Sequence, residues 1–565
     1  MDYDIKITGG TIVDGTGNPG YLGDVGIRDG KIVAMGAAPG TAAKTIDAKG
    51  KIVSPGFVDI HTHYDAQVMW DRMMTISPWH GVTTVVVGNC GFGIAPTRPE
   101  HRQMIAETLE NVEGMSVNAL KAGLGADWGF ETFPQYLDAI ENKGIAINMG
   151  VLIGHTPVRM YVMGEDATER EATPAEIVKM RALVSEGIEA GAIGFATSKA
   201  ATHVGYRGKP VPSRAANHDE MLSLMGALGD LKKGMIQITI GKGLSYKEFA
   251  EISETTGRRI SWTALLSGLN LTGAGSHKDQ LRKSEELIAS GHDVVPQVTC
   301  RPLNFEFNFK APFPFEASKT FAPISQADFE GRKKIDASAA FGEAFRGLID
   351  RPDINLARSF KIAVISHCPS DTSIEERTVG DVAAERGVHP ADLAIELSLA
   401  NDLQVRFRMP VANSDEDAVE ELLTHKDTVL GLSDAGAHAS QLCDGCYSTH
   451  LLSRWVREKK AITIEAAIRM LASRPAEVFG ITDRGLLAIG RPADVVVIDM
   501  ETVGASPLKR VNDLPAGEER LISEATGIDA VIVNGALLRE NNVNALDVVN
   551  GKLPGRLLRN GAAAA

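Results

Sequence analysis

Two histidines separated by one residue, His61 and His63, close a short apolar run in the segment SPGFVDIHTH (54–63). Side chains at i and i+2 of a strand project to the same face. A strand over 57–61 therefore aims both imidazoles at one point beyond its C-terminal end. Two neutral imidazoles converging in that way suit a divalent metal that accepts nitrogen, oxygen and sulfur ligands, commonly zinc. The plain alternative is a hydrogen-bonded pair that does no more than finish a strand.

A metal needs further ligands, and the hydropathy pattern supplies elements to deliver them. Apolar, β-branched runs recur at 57–61, 82–88, 145–153, 192–197, 235–240, 259–264, 293–299 and 428–433. Helical patterns at 176–191, 218–234 and 280–291 lie between several of them. Continuous apolar strands alternating with helices predict an α/β fold with a parallel sheet covered on both faces. Eight such strands predict a (β/α)8 TIM-like barrel, whose chemistry gathers at the C-terminal strand ends. Metal-competent and polar residues fall there repeatedly. Cys90 follows the second run, His155 the third, Lys199 and His203 the fourth, and Asp434 and His438 the eighth.

The two ends of the chain share a different style, short apolar runs joined by Asp-Gly and Asn-Gly turns. They predict a small β-sandwich built from both termini, 1–56 and 480–550, with the barrel at 57–479 between them. Residues 551–565, ending in GAAAA, read as a tail. A long insertion, about 300–427, separates the last two strands. Its first part, 301–345, carries half of the 18 phenylalanines. That stretch reads either as a hydrophobic lid over a site or as an insertion with its own small core.

Composition narrows the partners. At 565 residues, 44% hydrophobic and 23% charged, the chain has the make-up of a soluble globular protein. A net charge of −14 argues against nucleic acid or an anionic membrane as partner. The N-terminus lacks the pattern of a signal peptide, and no apolar stretch is long enough to span a bilayer. Five cysteines, an odd number in a long chain, fit reduced thiols in a cytoplasmic protein. The CDGC pair, Cys443 and Cys446, has no second pair to complete a structural zinc site. Neither a Walker-type phosphate loop nor a nucleophile elbow is present.

Taken together, SPGFVDIHTH after a sandwich piece, an aspartate ending the eighth strand, and the return GRPADVVVID (490–499) resemble the amidohydrolase superfamily. Within it the chain is most similar to the N-acyl-D-amino-acid deacylases, or D-aminoacylases. The matching segments are HTHYDAQVMWD (61–71), GNCGFGIAP (88–96), GHTPVR (154–159) and GAIGFATS (191–198). The resemblance covers essentially the whole chain. It implies a metal-dependent hydrolase of amide C–N bonds other than peptide bonds, acting on a small molecule. It places metal ligands on His61 and His63, the family's distinctive cysteine ligand on Cys90 and its catalytic aspartate on Asp434. Lys199 is a candidate carboxylated bridging ligand by the same resemblance.

The chain departs from that family at two strand ends. The D-aminoacylases carry histidine ligands after strands five and six, and a nearby lysine that holds a substrate carboxylate. Here those places read QITIGKG, with Thr239 and Ile240, and RISWTALLSG, with Trp262 and Thr263. One or two divalent ions are conceivable, and one is favoured, zinc held by His61, His63 and Asp434, with Cys90 an optional further ligand and water completing the site. Three protein ligands plus water is the usual count for catalytic zinc.

The implied chemistry is attack of metal-activated water on a carbonyl, with Asp434 taking the water proton and returning it to the leaving nitrogen. His155, His203 and Tyr64 are candidate oxyanion donors, and Arg159 a candidate for a substrate carboxylate. The missing lysine and the Phe-rich insertion suggest a substrate bulkier or more apolar than a free N-acetyl amino acid. Two alternatives stand beside the deacylase reading. One is a cyclic-amide hydrolase of the hydantoinase kind, which would use a modified Lys199. The other is a metal-free barrel acting as a scaffold. Relatives often self-associate, so a homo-oligomer is left open.

Overall fold

The computed structural model describes residues 1–563 apart from 271, 272, 274, 316, 317 and 352–354. Eight parallel strands form the expected barrel. They are β1 (Phe57–Asp59), β2 (Val82–Val87), β3 (Asn148–Gly154), β4 (Gly194–Ser198), β5 (Met235–Thr239), β6 (Ile260–Thr263), β7 (Val294–Val298) and β8 (Val429–Leu430). Each pairs in parallel with the next, from β1 to β8. Every residue of β2 and of β3 is buried, because helices cover the outside and side chains fill the inside. The predicted helices form with small shifts at their ends, at Pro174–Ala190, His218–Leu231 and His277–Ala289. The first and last begin with a reciprocal capping box, at Thr173/Glu176 and Ser276/Asp279, which fixes their start.

The barrel closes where the chemistry was expected. Strand β1 ends at Asp59, two residues earlier than predicted, but the chain stays extended beyond it. Thr62 bridges Ala435 in parallel. Asp434 N–H donates to the His61 carbonyl at 3.1 Å, and His63 N–H to the Ala435 carbonyl at 2.8 Å. The histidine pair therefore lies on the seam that joins the first strand to the last.

Both termini build one nine-stranded sheet around a shared core that includes Ile7, Ile27, Val53, Val495 and Ile532. The halves join where Ile52–Pro55 runs antiparallel to Val495–Ile498. Two of its hairpins turn at Asp29-Gly30 and Asn534-Gly535, with positive φ at both residues of each pair. That geometry matches strand twist and explains the Asp-Gly and Asn-Gly signals. One arm leaves this sheet: Lys509–Val511 pairs with Arg520–Ile522 and reaches the barrel mouth, where Leu521 N–H donates to the Ala439 carbonyl at 2.7 Å.

The C-terminal tail expectation is corrected. Gly555 N–H donates to the Ile145 carbonyl, Met149 N–H to the Arg556 carbonyl, and Leu557 and Leu558 are buried against the barrel. Arg559 reaches Asp138 and Glu141 on the helix Phe133–Lys143. Apolar residues inside the presumed tail supply the burial that holds it. Ala564 and Ala565 lie outside the described residues.

The insertion folds on a core of its own. Its three antiparallel strands, Leu303–Phe307, Val364–His367 and Arg406–Ala412, pack with helices around Phe307, Phe309, Phe321, Phe345 and Phe407. Ring contacts such as Phe315–Phe321, 4.8 Å apart and stacked, bind the phenylalanines to one another. They are core, not lid. Phe305 is turned the other way, edge-on to His438 at 5.1 Å.

Asp336, the last residue of the helix Phe329–Asp336, is buried in this unit with neither carboxylate oxygen hydrogen-bonded. Burial, partly offset by Arg332, lifts its pKa to about 7. In the unfolded chain the group titrates near 3.9. Between those values the folded chain binds a proton that the unfolded chain does not, so stability falls as pH rises from about 4 through about 7. Asp336→Asn is expected to raise the melting temperature more at pH 8 than at pH 5. Equal effects at both pH values in thermal melts would contradict a buried, neutral carboxyl.

Candidate active site

Four donor atoms converge at the barrel seam. Cys90 Sγ lies 3.4 Å from His61 Nε2. Asp434 Oδ1 lies 3.4 Å from His61 Nε2 and 3.7 Å from His63 Nε2. The donor atoms of His61, His63 and Cys90 all fall within 4.8 Å of one another. Ordinary zinc–nitrogen and zinc–sulfur bonds in a tetrahedron separate neighbouring ligand atoms by roughly 3.3–3.8 Å. The two imidazoles and the thiol at these spacings fit a divalent metal, and the Asp434 carboxylate lies against both imidazoles.

The backbone is bent to deliver these groups. Cys90 sits at φ +58° in the turn Asn89–Gly91 after β2. The turn is wedged against the barrel: a Cβ on Gly88 would meet the Leu152 carbonyl at 2.2 Å, and one on Gly91 the Ala196 carbonyl at 2.8 Å. Glycine is required at both, which accounts for the GNCG pattern. Asn89 Nδ2 donates to the carbonyls of Val86 and Thr62 and pins the turn to β2 and to the seam. Asp434 and His438 also adopt positive φ, +47° each, and Gly436 between them +94°. Non-glycine residues in this region cost about 1–3 kcal/mol each and persist where surrounding contacts over-determine them.

Each donor is oriented from behind. His61 Nδ1 meets Gln297 Oε1 at 2.8 Å, and Gln297 Nε2 donates to Ser261 Oγ. His63 Nδ1 meets Glu113 Oε1 at 3.1 Å. Cys90 N–H donates to Gln237 Oε1 at 2.8 Å. Both imidazoles thereby turn Nε2 toward Cys90 and Asp434. Burial raises the Cys90 pKa, but the flanking imidazoles outweigh it and bring the thiol below its ordinary value. Burial likewise opposes ionisation of Asp434, yet the bond to His63 and the charges of both histidines hold the carboxyl well below the usual range. These are the anionic donors a metal needs.

Glu113, Gln237 and Gln297 were missed in the sequence. The glutamines had a signal: each is an amide in the middle of a fully buried apolar strand. Glu113 had none, being an acid at the end of a helix before glycine.

Three predicted residues are employed elsewhere. His155 is fully buried with Nδ1 on Thr197 Oγ1 and Nε2 on Glu220 Oε1, both at 2.8 Å. Arg159 pairs with Glu220 and donates its remaining N–H groups to the Ala167 and Arg170 carbonyls. Lys199 Nζ donates to the carbonyls of Arg214, at 2.9 Å, and Ala216, at 2.5 Å. Burial, together with Arg159, lowers its pKa to about 8. His155, Arg159 and Lys199 thus brace β3 and β4 instead of joining the metal donors. Their position at strand ends had suggested otherwise.

Two others stay with the site. Tyr64 is buried, bonded to Ser77 Oγ at 2.8 Å, and lines a cavity beside Asp434. His203 packs on Phe92, with Nδ1 2.7 Å from Ser198 Oγ. Ser198 Oγ also accepts from Ala200 N–H at 3.2 Å. Burial, in the presence of Glu113, His438 and His63, lowers its pKa to about 4 and keeps the ring neutral. At the ends of β5 and β6, Thr263 Oγ1 donates to Thr239 Oγ1 at 3.2 Å, and no imidazole is present. Cys443 and Cys446 pack with Ile76, Leu521 and Ile522, and Cys446 Sγ accepts from Arg301.

The amidohydrolase family model matches residues 44–538, and the chain belongs to that family. The chain is 30% identical over 535 residues to an uncharacterized protein of Mycobacterium tuberculosis, covering 88% of this chain and 85% of that one. It is 27% identical over 539 residues to the D-aminoacylase of Alcaligenes xylosoxydans xylosoxydans, covering 94% of each. Among solved structures it resembles N-acyl-D-glutamate deacylase from Bordetella bronchiseptica, determined with zinc and a phosphonate mimic of the tetrahedral intermediate. That match has 26% identity and a TM-score of 0.66, and covers 99% of this chain and 100% of that one. The chain is therefore a metal-dependent hydrolase of amide C–N bonds, close to the D-aminoacylases. The scaffold alternative falls away.

The His155–Glu220–Arg159 network makes a stability prediction separate from the site. Glu220→Ala strips a buried guanidinium of its counter-charge and is expected to cost about 3–5 kcal/mol in urea unfolding. Metal content of the folded fraction should not change, because none of the four metal donors touches Glu220 in the contacts described above.

Proposed function

We propose that the chain is a one-metal deacylase that cleaves an N-acyl-D-amino acid or a bulkier N-acyl or aryl amide. The observation that carries this reading is the convergence of His61 Nε2, His63 Nε2, Cys90 Sγ and Asp434 Oδ1, opposite a self-paired Thr239–Thr263 where the D-aminoacylase pattern has histidines. A divalent metal bound there, zinc being the best fit to the donor set, supplies Lewis acidity to the amide carbonyl and acidifies water.

The residues divide the remaining work. Asp434, ionised and held against both imidazoles, accepts the proton of the attacking water and returns it to the leaving nitrogen. Protonation is needed because a free amide anion leaves poorly. His203, kept neutral by burial and beside the site, serves as the oxyanion donor in the tautomer whose Nδ1 accepts from Ser198. Tyr64, fixed on Ser77, shapes the wall next to Asp434.

The names of the relatives support an acyl group on a D-amino acid as the substrate class. The absent lysine still favours a substrate that does not depend on a carboxylate clamp. The Phe-rich insertion gives little support for a bulkier substrate, since most of its rings pack in its own core and Phe305 alone among the described rings is turned to His438. The cyclic-amide alternative loses its support too, because the Lys199 ammonium is committed to two carbonyls.

Elemental analysis of protein purified without added metal is expected to give about one zinc per chain, lost on His61→Ala. About two per chain would end the one-metal reading. Asp434→Asn is expected to lower kcat on an N-acyl-D-amino acid by about 10²–10⁴ with little change in KM. A loss confined to KM would remove the proton-transfer role.

A further inference from the structure

Glu113 is the last residue of helix α1 (Arg102–Glu113), and Gly114 ends that helix at φ +59°. The helix end is pressed onto the loop after β8. A Cβ on Gly114 would lie 3.1 Å from His438 Cα, and the Glu113 carbonyl accepts the N–H of His438. The side chain turns inward, is buried, and places Oε1 3.1 Å from His63 Nδ1. That oxygen makes no hydrogen bond, and its contact with His63 Nδ1 is a close ion pair. The carboxylate is dedicated to one imidazole.

The two histidines are held unequally. His61 leans on Gln297, a neutral amide whose nitrogen is already engaged with Ser261. His63 leans on a carboxylate. A carboxylate on the far ring nitrogen fixes the proton at Nδ1, leaves the Nε2 lone pair facing the metal, and makes the ring a stronger donor. A neutral amide fixes orientation but adds little basicity.

We propose that Glu113 is a positioning residue that sets metal affinity by anchoring and polarising His63, and that helix α1 is thereby tied to the metal centre. This rests on the metal reading above. The same residue bonds the strand-eight loop through its main chain. The helix therefore grips the site twice, at His63 and at His438.

The test is zinc affinity of the purified holoenzyme, measured by transfer to a chromophoric chelator, together with the visible spectrum of the cobalt-substituted protein. Glu113→Gln keeps the shape and an acceptor oxygen but removes the charge. It is expected to weaken zinc binding by about 10–100-fold and to shift the cobalt bands. Glu220→Gln, a second buried carboxylate change away from the metal donors, is expected to lower stability and leave zinc affinity as in the wild type. A folded Glu113→Gln that binds zinc within twofold of wild type, or shows the wild-type cobalt spectrum, overturns the proposal while leaving the metal reading intact. If Glu113→Gln does not accumulate folded, Glu113→Asp carries the test. Its shortened arm no longer reaches Nδ1, so zinc must leave faster than from wild type, and equal retention overturns the proposal. A wild-type chain that holds no zinc overturns both readings.

Discussion

The closure of the barrel is the constraint on which the site depends. A parallel sheet has two edges until its last strand finds its first, and here the closing contacts are the main-chain groups of His61, His63, Asp434 and Ala435. Three of the four proposed metal donors, His61, His63 and Asp434, are among these residues. Folding and site assembly are thus one event: the register that seals β8 against β1 also sets the Asp434 carboxylate against both imidazoles. A slip of one residue would turn each of these side chains to the wrong face. The cysteine arrives independently, from a glycine-flanked turn wedged against the Leu152 and Ala196 carbonyls.

That seam carries backbone strain, and peripheral segments hold it. Leu432, Asp434 and His438 all lie in the left-handed region. The loop bearing them is gripped by helix α1 through the Glu113 carbonyl, by the insertion through Glu306 N–H on the Gln441 carbonyl, and by the C-terminal arm through Leu521 N–H on the Ala439 carbonyl. Arg510, on that arm, donates to Glu306 of the insertion and to the Ser440 carbonyl of the loop, and so ties the arm and the insertion to the loop's far end. The insertion and the arm therefore earn a role even though the phenylalanines form no lid. They supply the outside contacts that let non-glycine residues stay in costly conformations.

The barrel was legible because its signal is local. β-Branched runs that are buried on both faces stand out over any window, and all eight coincide with strands. His61, His63 and Asp434 were legible because spacing and strand-end position carry their geometry. The misreadings share a cause. Strand ends host residues that do chemistry and residues that brace the barrel, and only the partner tells them apart. His155 and Arg159 look like site residues until Glu220 arrives from the helix His218–Leu231 and claims both. Glu113 is the converse case, an ordinary helix-end acid whose partner lies far away in the chain. The tail was misread because a run of small residues at the terminus hid Leu557 and Leu558, which are buried.

The missing histidines of β5 and β6 become intelligible as a matter of charge. On the proposed one-metal reading, a thiolate at Cys90 and a carboxylate at Asp434 balance one divalent ion, with two neutral imidazoles completing the donor set. A second ion would require further anionic or imidazole ligands in the same dry space, where uncompensated charge is costly. Among the described residues the ends of β5 and β6 offer none. Thr263 donates to Thr239 and accepts from Gln237 Nε2, the Gln237 oxygen accepts from the Cys90 amide, and Lys199 is a cation held by carbonyls. An imidazole at either threonine would need a partner that the present packing does not provide. Replacing metal ligands by a self-satisfied hydroxyl pair keeps the barrel mouth polar and neutral without demanding a second metal. The proposed donors that remain are each braced from behind, His61 by Gln297, His63 by Glu113 and Cys90 by Gln237.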